Sequence, residues 1–120
     1  MGDFGFTFMV EELAVAAKNN SPIIVVIVNN AYLSLIRQNQ KYAYKYEYAV
    51  KMEENQTFVD YVEVAEGLGC KAERVVKHED IAGALKRANE SDRLYVIDII
   101  VEEHTDCSMG GNIGAVREFE

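Results

Sequence analysis

The chain has 120 residues, of which 49% are apolar and 27% are charged, and its formal net charge at pH 7 is −8. This length fits one domain with a hydrophobic core, and the apolar content excludes a disordered chain. The acidic balance excludes nucleic acid as a partner, because no basic face is available to displace the counterions of the phosphates.

The cysteines and the first residues exclude further classes. Cys70 and Cys107 lie far apart and lack the spacing of a zinc site or a disulfide framework. The chain begins Met1-Gly2-Asp3, with an acid where a signal peptide would carry basic residues. The longest apolar run, residues 22–28, is too short to span a bilayer. We therefore expect a soluble, cytoplasmic protein with no membrane partner.

The first third of the chain predicts a helix followed by a strand. Residues 6–19 carry apolar side chains at helical spacing, which predicts an amphipathic helix that ends at the Asn-Asn-Ser-Pro segment. Residues 23–28 are all β-branched, which is typical of a central parallel strand buried on both faces. This strand ends at Asn29 and Asn30, which favour turns.

The middle of the chain is less regular. A short helix is predicted over residues 33–39. Residues 41–56 alternate tyrosines with other residues, many of them charged, and we interpret them as a surface lid or an irregular helix. An alternative is that the tyrosines stack on a ligand, although their acidic neighbours exclude nucleic acid.

The second half of the chain returns to clear periodicity. Residues 58–68 predict a helix with a glycine cap at Gly69, residues 81–88 predict another helix, and residues 72–76 and 94–101 predict strands. Because strands alternate with helices, we expect an α/β fold in three layers, with a parallel sheet covered on both faces.

Two segments suggest a ligand site. Ligands of open parallel sheets bind beyond the carboxyl ends of the strands, and both segments are predicted to lie there. Asp3 and Asn30 offer hard oxygens of the kind that Mg²⁺ prefers, and the glycines on either side of Asp3 would let the backbone approach an anion. Taken one at a time, each segment is better explained as an ordinary helix start or a strand-end turn than as a ligand site. The two segments are Gly2-Asp3-Phe4-Gly5 and Asn29-Asn30-Ala31-Tyr32.

In combination, Gly-Asp, one helix, one strand and Asn-Asn resemble the signature of thiamine-diphosphate enzymes. Longer blocks extend the resemblance over nearly the whole chain, and they are similar to the glyoxylate carboligase family. These blocks are residues 8–15 (FMVEELAV), 28–33 (VNNAYL), 35–38 (LIRQ), 64–72 (VAEGLGCKA), 108–110 (SMG) and 118–120 (EFE).

The resemblance implies a thiamine-diphosphate-binding domain in an enzyme that joins two glyoxylates, with loss of carbon dioxide, to give tartronate semialdehyde. It implies that Mg²⁺ is bound by the side chains of Asp3 and Asn30 and by the backbone carbonyl of Tyr32. It assigns no catalytic side chain to this chain. Leu33 and Ile36 match apolar residues near the reacting end of the cofactor, although a core-facing helix position explains them equally well. The cofactor-binding residues that it implies are Gly2, Asp3, Phe4, Gly5, Asn30, Tyr32, Leu33, Ser34 and Ile36.

The chain also departs from this family. Family members are several times longer, and the strand before Gly-Asp and the residues that grip the aminopyrimidine ring have no counterpart in this sequence. We therefore expect residues 1–120 to form one truncated domain that has no carboligase activity alone and associates with further copies of itself. The alternative is a stand-alone, non-catalytic α/β domain that serves binding or assembly.

Two further acidic features leave alternatives. Asp98 interrupts an apolar strand, so it is either a buried functional acid or a residue on a partly open face or edge, and we favour the second interpretation. His104 lies beside Glu102, Glu103 and Asp106. These residues could hold a metal, but we interpret them as a solvated acidic loop.

Overall fold

A computed structural model describes residues 1–52, 59–104 and 106. The chain divides into two compact units. The first, here called the sheet unit, comprises Met1–Asn29 and Val59–Val101. The described part of the second, here called the loop unit, comprises residues 30–52, 102–104 and 106. The predictions for residues 53–58, Cys107 and the segments 108–110 and 118–120 lie outside the described residues.

Among the described residues, three strands form one parallel sheet. They are β1 (Ile24–Asn29), β2 (Lys71–Val75) and β3 (Tyr95–Ile100), in the order β1-β3-β2. The prediction of a parallel sheet is confirmed.

The prediction that β1 is a central strand buried on both faces is wrong. β3 is the central strand, and β1 pairs with one side of it. Ile27 is fully buried, whereas Ile24 is 39% exposed and Val28 is 48% exposed. On the opposite side, the Val28 N–H donates to the Met1 carbonyl at 2.8 Å, and Gly2 forms a parallel bridge with Val28. The start of the chain therefore lies along the outer side of β1.

The predicted first helix is interrupted. The structure has α1 (Asp3–Thr7) and α2 (Val10–Lys18) in its place. Between them, the N–H groups of Phe8 and Met9 donate to carbonyls three residues back, at 3.3 and 2.9 Å, which tightens the chain and ends α1. Met9 is one of the apolar residues whose spacing predicted this helix, and it is 42% exposed rather than buried.

Helices cover both faces of the sheet. Within β3, Val96 packs on one side with the cluster that contains Phe6 of α1, while Ile97 packs on the other side with Ala84. The first side is covered by α1, α2 and α4 (Tyr61–Gly67), and the second by α5 (Ile81–Asn89), which follows a 3₁₀ turn. The prediction of an α/β fold in three layers is confirmed.

The predicted glycine cap ends α4. Gly69 has a φ of 85°, its N–H donates to the Glu66 carbonyl at 2.9 Å, and the Cys70 N–H donates to the Ala65 carbonyl at 3.0 Å. Cys70 is a free, buried cysteine, and burial raises the pKa of its thiol. Leu85 is one of the apolar residues whose spacing predicted the helix at residues 81–88, and it is 42% exposed rather than buried.

The loop unit contains α3 (Ser34–Asn39), which confirms the short predicted helix, followed by a π-helical turn over Gln40–Tyr44. Its exposed tyrosines, Tyr44, Tyr46 and Tyr48, lie in the segment predicted to be a lid or an irregular helix. Across residues 1–52, 59–104 and 106, no helix combines the length and the apolar character that crossing a membrane requires.

Candidate functional site

Asp3 lies at the carboxyl end of β1 within the sheet unit. Gly2 is held beside Val28 by the parallel bridge, so α1 begins where β1 ends. The Asp3 side chain is only 3% exposed, and its Oδ1 accepts the Phe4 N–H at 2.8 Å. The fold therefore places a buried carboxylate at the edge of the sheet where ligands of parallel sheets bind.

A buried polar network includes Asn29, the last residue of β1. Asp98, on β3, is fully buried, and its Oδ1 accepts from the Asn29 side chain at 3.0 Å. Its Oδ2 accepts from Arg74 Nε at 3.0 Å, and the same guanidinium donates to Asp60 at 2.8 Å. Our favoured interpretation of Asp98 was wrong, because its partners on both neighbouring strands satisfy the carboxylate and allow it to be buried.

Asp60 connects this network to α4. Its Oδ1 accepts the N–H groups of Val62 at 3.0 Å and Glu63 at 3.1 Å, which is a side-chain cap for the helix. The hydrogen bond from the Glu63 N–H, together with Arg74 and the Val62 N–H, lowers the pKa of the Asp60 carboxyl. The network therefore ties a helix start to the sheet.

In the loop unit, residues 30–34 form a tight turn, which we call the cation loop because the sequence predicts cation ligands in it. Ala31 has a φ of 58°, which turns the chain back on itself. Asn30 is 8% exposed, and its Oδ1 accepts from the Tyr32 N–H at 3.3 Å and from the Ser34 hydroxyl at 2.9 Å. The same hydroxyl also lies 3.3 Å from the Tyr32 carbonyl oxygen. Two of the predicted metal-ligand oxygens therefore converge on one side chain.

Backbone pairing fixes the cation loop on its other side. The Leu33 N–H donates to the Val50 carbonyl and the Met52 N–H donates to the Ala31 carbonyl, both at 2.8 Å. Tyr32 and Lys51 form an antiparallel bridge. Because both ends of this pairing are hydrogen-bonded, the direction of the Tyr32 carbonyl is set by the backbone.

Arg37 is a residue to which the sequence analysis assigned no role. It is 3% exposed, and its guanidinium donates to the carbonyls of Glu103 at 2.6 Å and His104 at 3.1 Å. The Cζ atom of the guanidinium also lies 4.7 Å from the centre of the Tyr32 ring. Arg37 belongs to the quoted block 35–38, but nothing in its spacing distinguishes it from an exposed arginine. The structure shows that it stabilises the fold of the loop unit.

The remaining candidates have simpler surroundings. Ile36 is 51% exposed, so the alternative of a core-facing helix position does not hold for it. Asp106 accepts from the Tyr42 hydroxyl at 2.6 Å and from Lys41 at 3.1 Å, and these two bonds lower the pKa of its carboxyl. Glu103 and His104 are exposed, and within the described ranges no three His, Cys, Asp or Glu residues are grouped as a metal would require.

Comparison with known proteins identifies the family. Residues 1–99 match the model of the "Thiamine pyrophosphate enzyme, C-terminal TPP binding domain" family. The chain is 49% identical to glyoxylate carboligase of Escherichia coli over 99% of its own length and 22% of that protein. It is 40% identical to the large subunit of acetolactate synthase of Corynebacterium glutamicum, over 85% of this chain and 17% of that one.

A solved structure has the same fold. It is a thiamine-diphosphate-dependent 4-hydroxybenzoylformate decarboxylase from Rhodococcus jostii, with a TM-score of 0.78 and 25% identity over 85% of this chain and 19% of that one. The resemblance to glyoxylate carboligase and the prediction of thiamine diphosphate as the family's cofactor are both confirmed. The chain spans about a fifth of the length of these relatives. With residues 1–99 matching its model, the chain belongs to the family of the C-terminal TPP-binding domain of thiamine pyrophosphate enzymes.

Proposed function

We propose that this chain holds Mg²⁺ and the diphosphate of thiamine diphosphate in a carboligase that joins two glyoxylates to tartronate semialdehyde and carbon dioxide. The 49% identity to glyoxylate carboligase supports this substrate. The chain spans 22% of that relative, so the activity of the whole protein is part of the proposal. In the same proposal, residues 1–120 are a single domain that has no turnover in isolation.

The cation loop carries this proposal. Asn30 Oδ1 and the Tyr32 carbonyl oxygen both accept from the Ser34 hydroxyl, at 2.9 and 3.3 Å, so two uncharged, hard oxygens lie close together in this loop. Such oxygens, with a carboxylate such as that of Asp3, are the ligands that Mg²⁺ prefers, and phosphate oxygens commonly complete its shell. The chemistry of this donor set fits magnesium.

The two glycines of the first segment fit the diphosphate. A Cβ added to Gly2 or Gly5 would meet no atom of the described residues within 4 Å. Neither glycine has a positive φ. Packing and backbone conformation therefore leave both positions open to a side chain, and the absence of one allows an anion to approach the backbone closely. This supports Phe4 and Gly5 as backbone contacts of the diphosphate.

Each element of the site then has a defined role. Bound thiamine diphosphate would supply the electron sink that decarboxylation requires. Asp3, Asn30 and Tyr32 would fix the cation, while the backbone of Leu33 and Ser34 would contact the diphosphate. Ile36, which is half-exposed, would offer an apolar surface near the reacting end of the cofactor.

Calorimetry tests the proposed site. We expect thiamine diphosphate to bind in the presence of Mg²⁺, with a dissociation constant in the micromolar range or weaker, and not in the presence of EDTA. Asp3→Ala and Asn30→Ala should each abolish this binding, because each removes a ligand oxygen. Asp92→Ala and Asn19→Ala are matched controls, since both side chains are exposed. Magnesium-dependent binding that survives both site substitutions would contradict the proposed ligands.

A second part of the proposal concerns assembly in the cytoplasm. The first residues of the chain pair with the outer side of β1 at Val26 and Val28, and the strand begins at Ile24, which is 39% exposed. Edge strands with exposed apolar side chains favour pairing with another chain. We propose that a second copy of this chain covers this edge or the first helix. Sedimentation equilibrium over a hundredfold range of concentration should show a dimer or a larger oligomer. A monomer throughout would exclude this assembly and favour the alternative of a stand-alone domain.

A further inference from the structure

We propose that the hydroxyl oxygen of Ser34 is itself a ligand of the divalent cation, next to Asn30 Oδ1 and the Tyr32 carbonyl oxygen. This inference rests on the proposed function, because it assumes that the cation loop binds a cation. It goes beyond that function in assigning a ligand role to the Ser34 side chain, whereas the resemblance implies only a backbone contact for this residue.

The distances within the loop support a ligand role. Ligands of Mg²⁺ lie at roughly 2.0–2.1 Å and at right angles, which places neighbouring ligand oxygens roughly 2.8–3.0 Å apart. Ser34 Oγ lies 2.9 Å from Asn30 Oδ1 and 3.3 Å from the Tyr32 oxygen. The hydroxyl oxygen therefore already keeps nearly the separations that neighbouring members of one octahedral shell require.

The backbone holds Ser34 in this position. Ser34 is the first residue of α3, and the preceding Leu33 is fixed by its N–H to the Val50 carbonyl and by its own carbonyl, which accepts the Arg37 N–H; both distances are 2.8 Å. Since Ala31 turns the chain back at a φ of 58°, residues 30, 32 and 34 present their oxygens together. The hydroxyl can rotate its proton without any movement of the backbone.

The hydrogen bonds explain how cation binding would proceed. Asn30 Oδ1 accepts from the Tyr32 N–H and from the Ser34 hydroxyl, which occupies both of its lone pairs. A cation that binds Asn30 Oδ1 must displace either the longer hydrogen bond, from the Tyr32 N–H, or the one from the Ser34 hydroxyl, whose proton can rotate away. When the Ser34 proton turns away, the oxygen presents a lone pair to the cation and replaces one of the waters that Mg²⁺ usually keeps.

Manganese titration monitored by electron paramagnetic resonance tests this inference, with MnCl₂ as the probe and thiamine diphosphate in excess. We expect Ser34→Ala to weaken Mn²⁺ binding about tenfold, the lower end of the losses caused by altered metal surroundings. Ser34→Thr keeps the hydroxyl and should bind within about twofold of the parent protein, since the remaining change is one methyl group. Ser91→Ala removes a hydroxyl from another turn and should have no effect.

A second readout separates a ligand from a merely structural hydroxyl. In water enriched in oxygen-17, the manganese line width reports the number of bound waters, and Ser34→Ala should gain one water. Unchanged or tighter Mn²⁺ binding by Ser34→Ala, an unchanged water count, or equal loss in the Ala and Thr variants would overturn the inference. If Asn30→Ala loses binding while Ser34→Ala does not, this inference alone fails. If neither variant loses binding, the proposed function fails as well.

Discussion

The sheet unit and the loop unit are stabilised by different kinds of contact. In the sheet unit, fully buried apolar residues such as Phe6 and Ile27 pack between the helices and the sheet, and one polar network around Asp98 is enclosed by partners. In the loop unit, the buried residues include Arg37 and Gln38. There the chain is held by hydrogen bonds from a guanidinium to backbone carbonyls and by short backbone pairings.

The two kinds of contact differ in how precisely they orient individual atoms. Apolar packing is non-directional and stabilises the sheet unit as a whole. Hydrogen bonds fix the direction of individual oxygens, and the candidate ligands Asn30 and Tyr32 lie in the unit that depends on them. Apart from Asp3, whose carboxylate is a candidate cation ligand, substitutions in the sheet unit should therefore change global stability, whereas those in the loop unit should change local order and cation binding.

The largest expected effect is in the sheet unit. Phe6→Ala should lower the free energy of unfolding by about 3–5 kcal/mol, because it leaves a cavity in the core and removes the edge-to-face contact with the Tyr61 ring, whose centre lies 5.5 Å away. Phe8→Ala is the matched control: Phe8 is 74% exposed, and we expect a loss below about 1 kcal/mol. Urea unfolding measures both values. Equal losses would show that α1 does not pack as described.

A smaller effect is expected in the loop unit. Arg37→Ala should cost about 2 kcal/mol of local stability, since it removes two charge-assisted hydrogen bonds to the carbonyls of Glu103 and His104. Hydrogen exchange should show faster exchange of the Leu33 and Met52 amides, while the amides of β3 remain protected.

Two controls sharpen this prediction. Arg37→Lys should not restore protection, because an ammonium lacks the planar fork that reaches both carbonyls. Lys86→Ala removes a side chain that is 77% exposed and should change the exchange of neither unit. Equal acceleration in both units after Arg37→Ala would abolish the distinction between them.

The smallest effect concerns pH. The folded pKa of Asp60 is lowered by the N–H of Glu63 and by Arg74, so its contribution is present above the ordinary carboxyl pKa and is lost as the pH falls through the lowered value. Asp60→Asn should reduce stability at pH 7 by less than about 1 kcal/mol, because asparagine still caps the helix but loses the charge that pairs with Arg74. It should also flatten the fall in stability below about pH 4. Denaturant titrations at several pH values measure both, with Asp92→Asn, at an 85% exposed position, as the control. If stability falls below about pH 4 as steeply in Asp60→Asn as in the parent protein, Asp60 does not contribute to the pH dependence of stability.

The sequence predicted the sheet unit well because apolar runs and glycine caps report local structure. The parallel strands, α4 with its cap at Gly69, and helices on both faces follow from spacing. Strand order did not follow from it: the β-branched run at residues 23–28 predicted a central strand, yet β3 occupies the centre, because long-range pairing is not encoded in local hydrophobicity. The burial of Asp98 was missed for the same reason, since its partners Arg74 and Asn29 lie on other strands.

The candidate site was predicted by its motifs rather than by periodicity. Asp3 and Asn30 were chosen because both were expected at the carboxyl ends of strands and because both match a family signature. Their roles as ligands stay predictions. The contribution of Arg37 could not be predicted, because its hydrogen-bond partners, the carbonyls of Glu103 and His104, are far away in the sequence. The local spacing of apolar residues does not distinguish a buried arginine from an exposed one. The convergence of oxygens on Ser34 depends on the left-handed turn at Ala31, a residue type that seldom adopts this conformation.

Anomalous diffraction from crystals grown with MnCl₂ and thiamine diphosphate would locate the cation and so identify its ligands. We expect one manganese peak within bonding distance of Asn30 Oδ1, the Tyr32 carbonyl oxygen and the Asp3 carboxylate, with the diphosphate bound to the same ion. Asn30→Ala crystals should lack this peak. A manganese peak on other residues, or a bound diphosphate with no metal at these oxygens, would contradict the account.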